Sequence, residues 1–437
     1  MDHTAGQCIT EWYVNSSFSK PLLIFFLAWN KVSIDIVVHA QPFASGSVIR
    51  LLESLKKADF FSSAPPRLVV ELPHNIDEPS RRYLEHYKWP PNAGDSSGSL
   101  LTLHHRIPQH GLTPEENSIR FLESFWPADP FTSHVLVLSP QVELSPLFFH
   151  YLKYAMLEYR YSGGKSDLHK NVMGLSLDLP TTYLNDSATF TPPLFNVILG
   201  EDHVVSGVTP FLWQAPNSNA ALYFGEKWVE LHDFVAQLLL SQHVLPTPTT
   251  LNEKEVSKTY PSWLEHVLKL VRARGYWTIY PNFEYRDSLA TLHNDLYQLP
   301  EEYSTELKDD IASSGELTAD PAQYLSLRHT ETPLIMTSLL TILPFEGDLP
   351  KMTEMPLLSW DGERINVSDI GKHAVAYSKV FRGEIGGCKH DAEEKTRYEG
   401  AASDLFCLND PLDPDIQEPE VEGPVEGPVE GPVEADI

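Results

Sequence analysis

The chain is short of cysteine, having only three in 437 residues, Cys8, Cys388 and Cys407. They lack metal-ligand spacing, and at most one pair can bridge, so a disulfide framework and a cysteine-bound metal are excluded. Basic residues are also scarce, with 32 Lys and Arg against 60 Asp and Glu for a net charge of −28. A chain of that charge does not coat nucleic acid or an anionic membrane. Long apolar runs are absent too. The one membrane-like stretch, Pro21 to Trp29, spans about half of the roughly 20 residues a transmembrane helix needs. No basic region precedes it as in a signal peptide, and a buried strand or the remnant of an anchor remain. Missing as well are a Gly-x-Ser-x-Gly elbow, a Walker loop, a Gly-x-Gly-x-x-Gly turn and His-Glu-x-x-His. His104, His105 and His110 cluster without a carboxylate or cysteine at zinc-ligand spacing.

What is present is apolar and broken by proline. Hydrophobic residues make up 42% of the chain, enough for a sizeable core, while 35 prolines cut it into short elements. From residue 33 the elements alternate. Strands are expected at Ser33–Ala40, Arg67–Leu72, Ser99–Ile107, His134–Leu138 and Met173–Leu179. Between them Val48, Leu51, Leu52 and Leu55 recur at helical spacing, and residues 78–88 open with Glu78-Pro79 as a helix does. Thr113 and Glu116 form a capping box for a helix to Trp126, and Ser145-Pro146 starts another reaching Tyr161. Further helices are expected over Glu226–Gln242 and Ser262–Arg274, with weaker helical character over Val367–Phe381.

Repeated β-α-β units predict an α/β fold with a mostly parallel central sheet flanked by helices. The expected divisions are an N-terminal segment 1–32, a main domain 33–300, a C-terminal extension 301–408 and a tail 409–437. The tail repeats Val-Glu-Gly-Pro three times and has ten acidic and no basic residues, which leaves −18 for the rest. Such a segment cannot bury a core and is expected to be disordered. Three Asn-x-Ser triplets, at Asn15, Asn185 and Asn366, fit the glycosylation acceptor pattern, one that often arises by chance.

In doubly wound sheets, ligands bind beyond the carboxyl ends of the strands. That rule selects the loops Ala40–Ser47, Ser139–Ser145 and the segment after Leu179. Four segments then resemble the fungal proteins called glycosyltransferase 2, relatives of the GT-A superfamily. They are His39-Ala40-Gln41-Pro42-Phe43 with Ser54–Phe60; Val137–Phe149; Pro210–Phe224, containing Trp213-Gln214-Ala215-Pro216-Asn217; and Arg272–Phe283. The likeness covers residues 33 to 390. It implies a GT-A-like fold and transfer of a sugar from a nucleotide-sugar donor to a glycan, protein or lipid acceptor. It also implies a divalent cation, Mn²⁺ or Mg²⁺, held by an Asp-x-Asp-like turn after a central strand.

Here that turn reads Ser139-Pro140-Gln141, with Glu143 as its remaining acid. Glu143 is therefore the expected metal ligand, or else an exposed acid before a helix N-terminus. His39, Gln41, Gln141, Glu143, Trp213, Gln214 and Asn217 are the expected donor and substrate contacts. Trp213 is read either as stacking on a sugar or base, or as a core tryptophan. Glu265, two residues after Trp263, is the candidate general base, or a solvated acid on its helix. Lys269, Arg272 and Arg274 stand for phosphate neutralisation or an exposed charged face. The alternative is a catalytically inactive relative that binds a glycan or partner. The resemblance implies the Golgi or secretory pathway; a complete chain start implies the cytoplasm.

Overall fold

The computed structural model describes residues 31–40, 44–60, 64–73, 76, 78–91, 99–105, 119–161, 167–199, 203–244, 254–257, 260–284, 286–293, 339–343, 347–389 and 395–407. The apolar run 21–29, the capping box at Thr113 and the acidic tail lie outside them.

The β-branched run after Val32 forms β1 (Ser33–His39), and α1 (Ser45–Lys56) follows it. Leu51, Leu52 and Leu55 of α1 are fully buried, each stabilising the fold by roughly 1.5–3 kcal/mol. Then come β2 (Leu68–Leu72), α2 (Glu78–His86), β3 (Leu101–His105), β4 (Ser133–Leu138) and β5 (Val142–Leu144). Next are α3 (Phe148–Met156), β6 (Val172–Ser176), β7 (Phe195–Leu199) and β8 (His203–Gly207). The chain continues through β9 (Phe211–Trp213), β10 (Ala220–Tyr223), α4 (Gly225–Val244) and α5 (Ser262–Arg274). It ends with β11 (Trp277–Tyr280), β12 (Ala290–Leu292), β13 (Leu357–Leu358) and α6 (Val367–Glu384).

Nine strands form one sheet in the order β13-β9-β11-β6-β10-β4-β1-β2-β3. Five of its pairings are parallel and three antiparallel, because β10 runs against β4 and β6, and β9 against β11. Helices cover both faces. Leu51 of α1, Leu84 of α2 and Tyr151 of α3 pack on one, Trp228 of α4 and Trp263 of α5 on the other. The layout is the mostly parallel, helix-flanked α/β sheet that the alternation predicts, and it is consistent with the GT-A-like class.

Two details depart from the expected organisation. The turn at Arg120–Ser124 is a short 3₁₀ segment that stops before Trp126. The C-terminal extension is built into the core, since β13 pairs with β9 and Phe381 of α6 is 1% exposed. Cys388 and Cys407 form a disulfide, the one bridge that three cysteines permit.

Candidate functional site

The strand order β3-β2-β1-β4 places a topological switch point between β1 and β4. After β1 the chain winds outward through β2 and β3, then returns to the other side of β1 as β4. At such a point the crossovers diverge and leave a crevice at the carboxyl ends of the strands.

His39 ends β1 on one side of this crevice. It is half-buried, with its ring 4.9 Å from that of Phe121. Strand register puts His39 beside Glu71 of β2, and Glu71 beside His104 of β3. The buried Glu71 carboxylate accepts a hydrogen bond from Ser124 Oγ at 2.8 Å, and His104 Nδ1 lies 3.5 Å from the same oxygen. Sequence reading selected His39 and missed Glu71, whose signal is its place in the last two residues of a strand. Gln41 lies outside the described residues.

Ser139 and Gln141 form the other side, after β4. The Ser139 N–H donates to the Asn219 carbonyl at 2.7 Å, and the Gln141 carbonyl accepts the His293 N–H at 3.0 Å. Glu143 follows two residues after Gln141. It belongs to β5, which pairs with β12, and the next residue, Leu144, donates its N–H to Ser54 Oγ on α1. The His293 ring Nε2 sits 2.9 Å from the Glu143 carboxylate. That hydrogen bond, helped by the charges of His293, Arg50 and Lys57, outweighs burial and holds the carboxyl below its ordinary range. Among the described residues no three metal-capable side chains converge. A hard divalent cation favours oxygen donors, and here one carboxylate, already bonded to an imidazole, is on offer. Of the residues expected to hold Mn²⁺ or Mg²⁺, Glu143 thus offers a carboxylate that an imidazole already engages.

The third segment, after β6, carries a group that sequence reading passed over. Asp178 is 2% exposed, and burial pushes its carboxyl up to about 6 against the opposing pull of Asn217 and Asn219. Asn217 Nδ2 lies 2.6 Å from Asp178 Oδ1 and 2.7 Å from Ser176 Oγ. The Asn217 side-chain oxygen takes the Asn219 N–H at 2.7 Å, and its carbonyl takes the Tyr223 hydroxyl at 2.6 Å. Asn217, expected to hold sugar hydroxyls, instead ties the loop before β10 to the end of β6. The apolar run predicts a strand reaching Leu179, with Asp178 inside it, whereas β6 stops at Ser176.

The other expected contacts are interior. Trp213 is fully buried, stacks on Phe190 with ring centroids 4.5 Å apart and donates Nε1–H to the Ser359 carbonyl at 2.8 Å. It is the core tryptophan of the two readings, because β9 pairs with β11 and β13 on either side. Gln214 is buried, with Nε2 3.4 Å from the Val271 carbonyl. Glu265 is 3% exposed, not solvated, and its carboxylate accepts the Val256 N–H at 2.9 Å. Of the basic trio, Arg272 pairs with Glu255 between the rings of Trp360 and Tyr377, and Arg274 is enclosed by Glu230 and Asp404. Lys269 lies 3.9 Å from Glu265. The structure thus brings His39, Ser139 and Gln141 to one rim of the sheet, pairs Glu143 with His293, and buries Trp213, Gln214 and Glu265.

No family model matches the chain, and no curated protein matches it. Among solved structures it is similar to the crystal structure of S. aureus TarS 1-349, at a TM-score of 0.31 and 10% identity, over 67% of this chain and 68% of that one. Likeness at that level establishes neither fold nor activity.

Proposed function

We propose that this chain is a glycosyltransferase-like protein that takes a nucleotide-sugar at the carboxyl ends of β1 and β4. The sugar passes from there to a glycan, protein or lipid acceptor. One observation carries this reading: the switch point between β1 and β4, with His39 on one side and Ser139 and Gln141 on the other. His39, Gln41 and Gln141 are the proposed donor contacts. Asp178 is a positioning residue, since its pull on Asn217 and Asn219 fixes the loop that receives the Ser139 N–H. No step is assigned to a divalent cation.

A second reading, a non-catalytic glycan- or partner-binding protein on the same fold, is favoured by the state of the acids. Glu265 and Asp178 are both buried and hydrogen-bonded internally, so neither is presented to an acceptor hydroxyl. Either reading goes with the secretory pathway, which the Cys388–Cys407 bridge supports because such bridges persist in oxidising compartments. Among the described residues no helix is long and apolar enough to cross a membrane.

The test is thermal stabilisation by a panel of sugar nucleotides, with Mn²⁺ and with EDTA, followed by release of nucleoside diphosphate in a mixed acceptor pool. Saturable stabilisation, weakened in His39→Ala and Gln141→Ala, together with diphosphate release supports the transferase. Stabilisation without release supports the binding protein. No shift with any donor defeats the proposed site.

A further inference from the structure

The Asn-x-Ser triplets are unused by the reading above, and the structure separates them. Asn185-Asp186-Ser187 occupies the tip of a loop whose two sides are bridged at Thr182 and Thr189. Leu184 and Phe190 anchor the loop in the core at 6% and 3% exposure, while residues 185–189 are exposed. Asp186 has φ of 52°, a left-handed turn conformation that Asp tolerates better than most residues. The Thr182 hydroxyl holds it there through Asp186 Oδ1 at 2.8 Å.

Within this turn Asn185 Oδ1 accepts two hydrogen bonds from Ser187, from its N–H at 3.1 Å and its hydroxyl at 2.6 Å. Neither engages Nδ2, the atom that takes a sugar. Two donors on the amide oxygen draw electron density from the group and make the Nδ2 protons easier to remove. Asn366 differs. It stands at the N-cap position of α6, at the start of a helix rather than at the tip of a bridged loop. Asn15 lies outside the described residues.

A second observation, independent of the loop, concerns compartment. The Cys388–Cys407 bridge belongs to an oxidising lumen, where Asn-x-Ser triplets are also modified. We infer that Asn185 is an N-glycosylation site, receiving an oligosaccharide from a lipid-diphosphate-linked donor. In that step a C–N bond forms between the sugar C1 and Nδ2. The C1–O bond to the lipid diphosphate breaks, the diphosphate departs with the electron pair, and Nδ2 gives up one proton to a base of the transferring enzyme. The finished glycan projects from the loop tip into solvent, so the fold accommodates it without rearrangement.

The experiment is expression of the full chain in eukaryotic cells, with gel mobility read before and after peptide N-glycosidase and the peptide containing residue 185 read by mass. Expected is one glycan on Asn185, removed by the enzyme with conversion of Asn to Asp, lost in Asn185→Gln and Ser187→Ala, and kept in Ser187→Thr. Ser187→Thr preserves the hydroxyl, which separates loss of the acceptor from loss of the fold. A chain with Cys388 and Cys407 bridged but Asn185 bare overturns the inference. So does a chain that stays in the cytosol with both thiols free, or one modified at Asn366 alone.

Discussion

Asn217 and Asp178 meet at 2.6 Å, Nδ2 on Oδ1, in the interior just beyond the end of β6. Burial of the carboxyl, which this contact only partly offsets, makes the stability of the fold depend on pH in a specific direction. Burial raises the Asp178 carboxyl to about 6, from roughly 3.9 in an unfolded chain. A raised acid favours the protonated form in the native state. Its contribution is fully present below pH 4 and is lost as pH rises through 6. Asp178→Asn removes this dependence. Between pH 4 and pH 7 the stability of the variant relative to wild type should rise by about 2–3 kcal/mol. Urea unfolding at several pH values measures the difference, and a pH-independent offset rejects the assignment.

His134 works in the opposite sense. Its Nδ1 accepts the Gly225 N–H at 3.0 Å, so the neutral ring carries its proton on Nε2, 2.6 Å from the Tyr161 hydroxyl. Burial, reinforced by the nearby charges of Arg160 and Lys153, brings the imidazole down to about 3. A depressed histidine contributes stability that is present above its unfolded value near 6.5 and is lost as pH falls toward 3, at about 1.4 kcal/mol per pH unit. His266, buried and brought down to about 3 by desolvation, adds to the same loss. Nitrogen NMR of the histidine rings should show these two neutral at pH 5. Protonation of either in the folded state at that pH contradicts the structure.

Much of the scaffold was legible because it carries a period or a composition. The β-branched runs before His39 and Ser139 are strands, and α5 spans the expected Ser262–Arg274. The short antiparallel strands were not legible. Phe211–Trp213 and Ala220–Tyr223 are buried on both faces and too short to show alternation. For that reason Trp213-Gln214-Ala215-Pro216-Asn217 reads as a polar binding loop until pairing with Thr278 is seen. Gln141 lies in a loop that the strand-end rule selects, whereas His39 entered through the segment that carries the family resemblance. His293, 150 residues from Glu143, left no local signal of the contact that they make.

The Cys388–Cys407 bridge closes a short loop after α6 against the core. The adjoining chain has other ties: the Ala402 N–H donates to Asp233 of α4, and Phe381 and Phe406 pack edge to face. Opening the bridge should therefore loosen this segment rather than unfold the sheet. A loop of this size predicts a loss of about 3 kcal/mol in Cys388→Ser/Cys407→Ser, chiefly through a freer unfolded chain. Thermal melts of the variant, and of wild type with and without a reductant, measure it. A melting temperature insensitive to both changes would rule out a stabilising bridge.

The costliest single change away from the candidate site should be at Arg274. Its guanidinium is 5% exposed, makes two bonds of 2.6 Å to Asp404 and one of 2.8 Å to Glu230, and donates to the Ala401 carbonyl at 3.2 Å. Glu230 is itself 2% exposed and accepts the Tyr276 hydroxyl at 2.6 Å, so α4, α5 and the C-terminal segment share one buried charge cluster. Arg274→Met keeps most of the volume but takes the shared cation from Asp404 and Glu230, leaving Glu230 with Arg397 at 3.5 Å. Breaking a buried pair from one side costs about 3–5 kcal/mol, because the remaining charge stays desolvated. Removing both partners costs less, so Arg274→Met/Asp404→Leu should recover part of the loss. A double-mutant cycle by urea unfolding separates the pair from its surroundings. Additive effects of the two substitutions would mean that the cluster fills space and that its charges do not hold the C-terminal segment in place.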